Sequence, residues 1–334
     1  MNTQQTSLIR RDVFIPAYAK INLVLELRGI RSDGYHALRS VVVPVELHDD
    51  VFLSASPSSA SSDISLEVVA DEIDVSAIGE PAKNLAVRAA SLFLSRAGIS
   101  LSLKIRIVKR IPLGGGLGGG SADAAAVLRG LNAMFAEPPF SLDELVSLAA
   151  ELGSDIPSMV HGGTVLMEGR GEKVTALLGP DGRSPLPSFD IVLANPGINV
   201  STAEAYRKSD EIAARPSAVK APENWLLTLT SFSCNILHSP NYGKSLADFS
   251  VILFNGLEEA VFALHPEIAR LAARLKDEGA TGVLMSGSGA TVFALADGPE
   301  TAERIRRKMS AECWCTVTRT LPDGVMAAHG PLEA

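Results

Sequence analysis

Ile111-Pro112-Leu113-Gly114-Gly115-Gly116-Leu117-Gly118-Gly119-Gly120-Ser121-Ala122-Asp123-Ala124-Ala125-Ala126 sets six glycines around one leucine and runs straight into an alanine-rich helix. Glycine reaches positive φ without strain and lets another group approach the main chain, but it loses the most conformational freedom on folding. A stretch this rich in it makes sense where bare backbone N–H groups are needed. Such a loop, ending in a helix start, offers unpaired donors and the positive end of the helix dipole, which suits an anion. A nucleotide phosphate is the first expectation. Read without a ligand, the same residues are a flexible or tightly packed turn.

The surroundings narrow the choice. Leu101, Leu103, Ile105 and Ile107 alternate with Ser102, Lys104 and Arg106, so a half-buried strand leads into the loop. Behind it Ala124, Val127, Leu128, Leu131, Met134 and Phe135 recur on one helix face, with Ser121 or Asp123 expected to cap or charge-stabilise the helix start. Gly114, Gly116 and Gly119 satisfy the G-x-G-x-x-G pattern of dinucleotide sites. That unit needs a strand after its helix, whereas here Glu137-Pro138-Pro139 and a second helix follow. No Gly-Lys-Ser/Thr closes a P-loop, and the catalytic-loop and Asp-Phe-Gly signatures of protein kinases are missing.

Farther out, Ile21, Leu23, Leu25 and Leu27 alternate with Lys20, Asn22, Val24 and Glu26, which predicts a strand carrying Lys20 and Asn22 on its non-core face. Strands are expected at 41–45, 51–53, 189–194, 283–285 and 291–295, and helices at 84–97 and 203–214. Ser141 with Glu144 forms a capping-box pattern before another helix, expected to stop at Gly153. His265-Pro266 opens a further one, and Gly179 to Pro187 is the best linker candidate. Strands and helices mix without regular alternation, so an α+β fold with antiparallel pairing is expected.

Composition excludes several classes. The 334 residues carry 30 basic and 38 acidic side chains, a net charge of −8, which argues against general affinity for nucleic acid or an anionic membrane. An anionic ligand must then be held by local donors. No apolar run approaches the ~20 residues of a membrane span, and the opening residues lack the apolar core of a secretory signal. Cys234, Cys313 and Cys315 are too few for a disulfide framework, and the six histidines offer no pair at metal spacing. Reduced thiols in a cytoplasmic protein are expected.

Three blocks converge on one family. Pro112 to Ala126 resembles the phosphate-binding motif of the GHMP kinases, which include galactokinase, homoserine kinase, mevalonate kinase and phosphomevalonate kinase. Ala17-Tyr18-Ala19-Lys20-Ile21-Asn22-Leu23, followed by Arg31-Ser32-Asp33-Gly34-Tyr35-His36, is similar to the branch that phosphorylates 4-diphosphocytidyl-2-C-methyl-D-erythritol in the non-mevalonate isoprenoid route. Leu284 to Phe293, around Gly287-Ser288-Gly289, resembles the family's third motif, and Leu152 to Pro157 and Asn195 to Thr202 match the branch in order. Together they span roughly Ala17 to Leu295.

The resemblance implies a two-domain GHMP kinase fold, α+β with mixed and antiparallel sheets, its domains at 1–180 and 181–334 and its active site in the cleft between them. It implies Lys20 and Asp155 as the catalytic pair. Pro112, Leu113, Gly114, Gly115, Gly116, Leu117, Gly118, Gly119, Gly120, Ser121 and Ala122 would meet the ATP phosphates, with Asn84, Leu85 and Lys109 near adenine. Asn22, Tyr35, His36, Thr202 and Tyr206 would meet the cytidyl diphosphate sugar-alcohol substrate, the two tyrosines on opposite sides of the base. ATP is the implied phosphoryl donor and Mg²⁺ its expected partner, with no protein ligands identified; monomer and homodimer both stay open. Read alone, Asp155 is a helix cap, Lys20 a solvated strand lysine, Tyr35 a hairpin-end residue, and Asn84 and Lys109 ordinary surface. Other readings are a different small-molecule GHMP kinase, such as homoserine or mevalonate kinase, and a non-catalytic regulator on the same fold. Two departures stand out: Ala122 where the family commonly has serine, and the segment from Arg215 to Asn255, with an expected inserted loop at Ser239 to Lys244.

Overall fold

The computed structural model describes Leu8 and residues 11–58, 62–70, 73, 79–179, 181–215, 220–226, 229 and 246–324. The expected loop at Ser239 to Lys244 and Cys234 lie outside the described residues.

Two long strands organise the first sheet. β1 (Asp12–Ile30) and β2 (His36–Pro57) form an antiparallel hairpin over most of their length. The sequence reading split β2 into two short strands; it is continuous because its two ends take different partners. Residues 50–57 pair with β4 (Leu101–Lys109), and residues 38–42 pair with β5 (Val165–Gly169), which pairs in turn with β6 (Lys173–Ala176). β3 (Asp63–Ala70) adds parallel to β4 at one edge. At the other, β8 (Phe254–Asn255) comes back from the second half of the chain and pairs parallel with Val24 and Leu25.

Helices α1 (Leu85–Ala97), α2 (Gly119–Ala133), α3 (Leu142–Ala150) and α4 (Ile156–His161) cover this sheet. Asn84 caps α1 by accepting the Ala86 N–H, and Gly98 ends it in the left-handed conformation. Ser141 and Glu144 complete the capping box of α3, which stops at Ala150 rather than near Gly153. Phe93, Leu53, Ile105 and Leu128 are fully buried between helices and sheet, each such side chain contributing about 1.5–3 kcal/mol.

The second sheet is wholly antiparallel, in the order β11 (Trp314–Arg319), β7 (Asp190–Asn195), β10 (Val292–Ala296), β9 (Gly282–Met285). Around it lie α5 (Thr202–Ala213), α6 (Leu246–Ser250), α7 (Glu258–Leu264), α8 (Pro266–Asp277) and α9 (Pro299–Met309). Asn255 ties the halves together: from β8 its Nδ2 donates to the carbonyls of Met285 (2.7 Å) and Gly287 (2.8 Å). A second glycine turn is thereby held against the first sheet.

Candidate active site

β1 delivers Lys20 and Asn22 at a place where its pairing with β2 is irregular. Register shifts fall between Tyr18 and Lys20 and again between Asn22 and Val24, and such irregularities re-aim side chains. The Lys20 N–H turns away from β2 and donates to the Leu117 carbonyl in the glycine loop (3.0 Å). Both side chains were expected on a non-core face; both are buried, because the glycine loop and the Ser286–Gly289 turn cover that face. Lys20 Nζ donates to Asn22 Oδ1 at 2.6 Å, Asn22 Nδ2 donates to Ser40 Oγ at 2.8 Å, and Ser40 donates to the Val24 carbonyl. The chain of bonds fixes the ammonium.

The glycine loop has two functions at once. Its carbonyls are engaged: Gly115 O accepts from the Thr291 N–H (3.0 Å) and Gly116 O from Ser286 Oγ (3.1 Å). Its N–H groups are not. Among the described residues, none of the main-chain N–H groups from Leu113 to Ser121 donates to another protein group. Gly114, Gly116 and Gly118 all hold positive φ. A Cβ on Gly116 would stand 2.1 Å from the Ser286 carbonyl. So the packed-turn reading is correct for one side of the loop, while the other side is a row of unpaired donors at the start of α2. Gly118 itself is the N-cap, without a side-chain cap, so neither Ser121 nor Asp123 caps the helix as the sequence suggested. Pro112 lacks an N–H. Ala122 turns its methyl into the core and gives its N–H to the Gly118 carbonyl at 2.8 Å. Among the residues expected to meet phosphate, these two have no donor to give.

Asp155 occupies the N-cap position of α4, yet its side chain makes no capping bond. The carboxylate instead faces Lys20, with Oδ2 3.7 Å from Nζ. Both residues line a cleft of about 750 Å³ that also takes in Asn22, Tyr35, His36, Ser121, Thr202, Tyr206 and Ser288. Thr202 and Ser288 hydroxyls bond each other at 2.9 Å. Tyr206 has its phenol pushed up to about 12, by burial first and then by the nearby charge of Asp155. Tyr35 stands 56% exposed with the Arg170 guanidinium over its ring. The expected placement of Tyr35 and Tyr206 on opposite sides of a base meets one constraint: His36, not open space, lies 4.7 Å from the Tyr206 ring.

A second hollow, about 620 Å³, opens on the other side of the loop and is lined by Asn84, Pro112, Leu113, Gly114, Asn199 and Trp314. Leu113 and Gly114 of the N–H row line this hollow, and Gly116 and Ser121 line the first. Leu85 lies under Gly120, its methyl 3.8 Å from where a Cβ would stand.

Lys109 is not the surface lysine that the strand pattern alone suggests. It is 3% exposed and lies between Asp49 and Asp123, hydrogen-bonded to both, with the Asp123 bond at 2.8 Å. Burial alone would lower its pKa, but the two carboxylates raise it on balance. Burial pushes the Asp123 carboxyl up to about 7 against the pull of Lys109. Asp49 also accepts from the N–H groups of Arg110 and Ile111. This buried trio therefore anchors the chain where it enters the glycine loop and the helix that leaves it. Sequence reading missed Asp49, Asn255 and Trp314, since none sits in a local pattern, and it gave no role to Asn199 inside the Asn195–Thr202 block.

The chain matches the GHMP kinases N terminal domain over residues 84–163 and the GHMP kinases C terminal domain over residues 241–313. A 4-diphosphocytidyl-2-C-methyl-D-erythritol kinase of Bacillus pumilus (strain SAFR-032) is 38% identical over 301 residues, covering 89% of this chain and 92% of the relative. A protein of the same name from Bacillus thuringiensis (strain Al Hakam) is 34% identical over 308 residues, covering 91% and 94%. The crystal structure of a 4-(cytidine 5'-diphospho)-2C-methyl-D-erythritol kinase matches with a TM-score of 0.69 and 33% identity, over 92% of this chain and 98% of that one. Homoserine kinase from Cytophaga hutchinsonii matches with a TM-score of 0.65 at 18% identity over 97% of this chain and 98% of its own, a likeness of fold alone.

Proposed function

The chain belongs to the 4-diphosphocytidyl-2-C-methyl-D-erythritol kinase branch of the GHMP kinases, and on that premise we propose that it transfers the γ-phosphoryl of ATP to the 2-hydroxyl of 4-diphosphocytidyl-2-C-methyl-D-erythritol, giving the 2-phosphate and ADP. The observation that carries the reading is the row of unpaired N–H groups from Leu113 to Ser121 beside the Lys20–Asp155 pair. Phosphoryl transfer asks a protein mainly for positioning and charge stabilisation. The N–H row supplies donors for phosphate oxygens, and Lys20 supplies a fixed positive charge next to the acceptor. Asp155 orients the 2-hydroxyl and takes its proton during or after attack, while the new P–O bond forms and the bond to ADP breaks.

ATP straddles the loop in this reading, with adenine in the hollow lined by Asn84 and Trp314 and the γ-phosphate toward Asp155. Mg²⁺ is expected with it and would neutralise β,γ-phosphate charge. Among the described residues no three carboxylate, histidine or cysteine groups cluster for a metal. Mg²⁺ keeps several waters and binds largely through phosphates; the Ser121 hydroxyl at the start of α2, lining the cleft, would be its protein ligand. Asn22, Tyr35, His36, Thr202 and Tyr206 form the substrate side. We place the domain division at 180/181, near the break between the two sheets, and the protein in the cytoplasm, where ATP is held.

A panel of acceptor alcohols with labelled ATP tests the assignment. Phosphorylation of the cytidyl compound, with homoserine and mevalonate left untouched, is the expected result. Preferential turnover of either of those overturns it, and binding without any turnover favours a regulator.

A further inference from the structure

In the cleft that holds Lys20 and Asp155, His36 Nε2 lies 2.8 Å from Asp210 Oδ1. Asp210 and Tyr206 are four residues apart on α5 and so share one face of it. One helix thus holds the imidazole twice, Tyr206 against its ring and Asp210 at its edge. An ionised carboxylate only accepts hydrogen bonds, so Nε2 must carry the proton. Nδ1 bonds no protein group among the described residues. In the neutral ring it therefore keeps a free lone pair, on a residue that lines the cleft.

We propose that Asp210 is a positioning residue for base selection: it locks His36 in the Nε2–H tautomer, so that Nδ1 accepts from the exocyclic amino group of a cytosine base and opposes the carbonyl that uracil has in its place. The inference rests on the cytidyl reading and deepens it. Acceptor facing acceptor is the penalty that excludes uracil, because a site built for a donor leaves a polar group unpaired against the wrong ligand. Asp210 is well exposed, and an exposed pair of this kind adds little to stability. Removing it should therefore change recognition more than folding.

The test compares wild type, Asp210→Ala and Asp210→Asn with cytidyl and uridyl forms of the substrate at saturating ATP. Asp210→Ala is expected to raise KM for the cytidyl form about two- to fivefold, leave kcat at saturation near wild type, and narrow the cytidyl-over-uridyl ratio by a similar factor. Asp210→Asn, whose side-chain oxygen still accepts from Nε2–H, should recover most of both losses. Nitrogen NMR of the imidazoles, with the His36 signal identified by its loss in His36→Gln, should show the Nε2–H form in wild type and a mixture in Asp210→Ala. An unchanged KM and base ratio in Asp210→Ala, an equal rise for both bases, or an Nδ1–H tautomer in wild type overturns the proposal. Failure of wild type to phosphorylate the cytidyl form at all would instead strike the assignment of the reaction, and the tautomer spectra separate the two failures.

Discussion

Lys20 Nζ stands 3.7 Å from Asp155 Oδ2, the lysine side chain 4% exposed and the aspartate 39%. The two are unlike partners. The ammonium is buried and held by Asn22, while the carboxylate faces the cleft with no capping bond to hold it back. A fixed charge beside a free acceptor is what an attacking hydroxyl needs, and the asymmetry separates the effects of the two residues.

Asp155→Ala removes the acceptor and leaves the N–H row intact. Turnover should fall by about 10²–10⁴-fold while nucleotide affinity, read by equilibrium binding of ADP, stays near wild type. Unaltered kcat would reject the role.

Lys20→Met removes the charge proposed to act on the nucleophile and the transferring group, so kcat should fall by about 10²-fold. The apparent KM for ATP should rise less than kcat falls, since the loss lies mostly in the transition state. A variant with normal kcat and a raised KM would make Lys20 a ground-state anchor only.

Gly116 and Gly120 look alike in sequence and differ in place. At Gly116 a methyl meets the Ser286 carbonyl at 2.1 Å and φ is +75°. Gly116→Ala should cost at least about 1–3 kcal/mol from the backbone conformation alone, with the clash added. Gly120 lies in α2, where the nearest atom to a Cβ is 3.8 Å away. Gly120→Ala should be neutral or stabilising by about 0.5–1 kcal/mol. Urea denaturation of both variants checks the contrast.

What could be read from the chain followed how local each signal was. The loop at Gly114–Gly120, the α3 capping box and the alternation through Leu101–Ile107 are written within a few neighbouring residues, and the structure has each of them. The cover over Lys20 and Asn22 comes from residues almost a hundred and more than two hundred and sixty positions away, so alternation alone could place them only on a non-core face. The burial of Lys109 was hidden for the same reason: a strand lysine gives no sign of Asp49, 60 residues earlier, or of Asp123 on the next helix. Trp314 reaches the hollow beside the glycine loop only through the pairing of β11 with β7. Long-range pairing carries no short-range signature.

Trp314 offers a direct readout of where the nucleotide sits. It lines the hollow beside Leu113 and Gly114, whereas Trp225 is buried with Arg39 over its ring. Adding ADP should change the intrinsic fluorescence saturably, Trp314→Phe should abolish the change, and Trp225→Phe should keep it. A signal that survives Trp314→Phe would put the base elsewhere.

The buried trio under the loop predicts a pH effect of definite sign. The Asp123 carboxyl is raised to about 7 in the folded protein, whereas an unfolded chain releases that proton near pH ~4. Between those values the native state holds more protons than the unfolded one, so this group's contribution to stability falls as pH rises through the window. Asp123→Asn keeps the shape and a hydrogen bond to offer but does not titrate. Other carboxylates act in both proteins, so the difference between them isolates Asp123: the Tm of wild type relative to Asp123→Asn should decline steadily from pH 4.5 to pH 7.5 (roughly the span between the two proton affinities). A difference that is flat, or that grows with pH, would mean that Asp123 is ionised throughout and that Lys109 holds two full negative charges beneath the glycine loop.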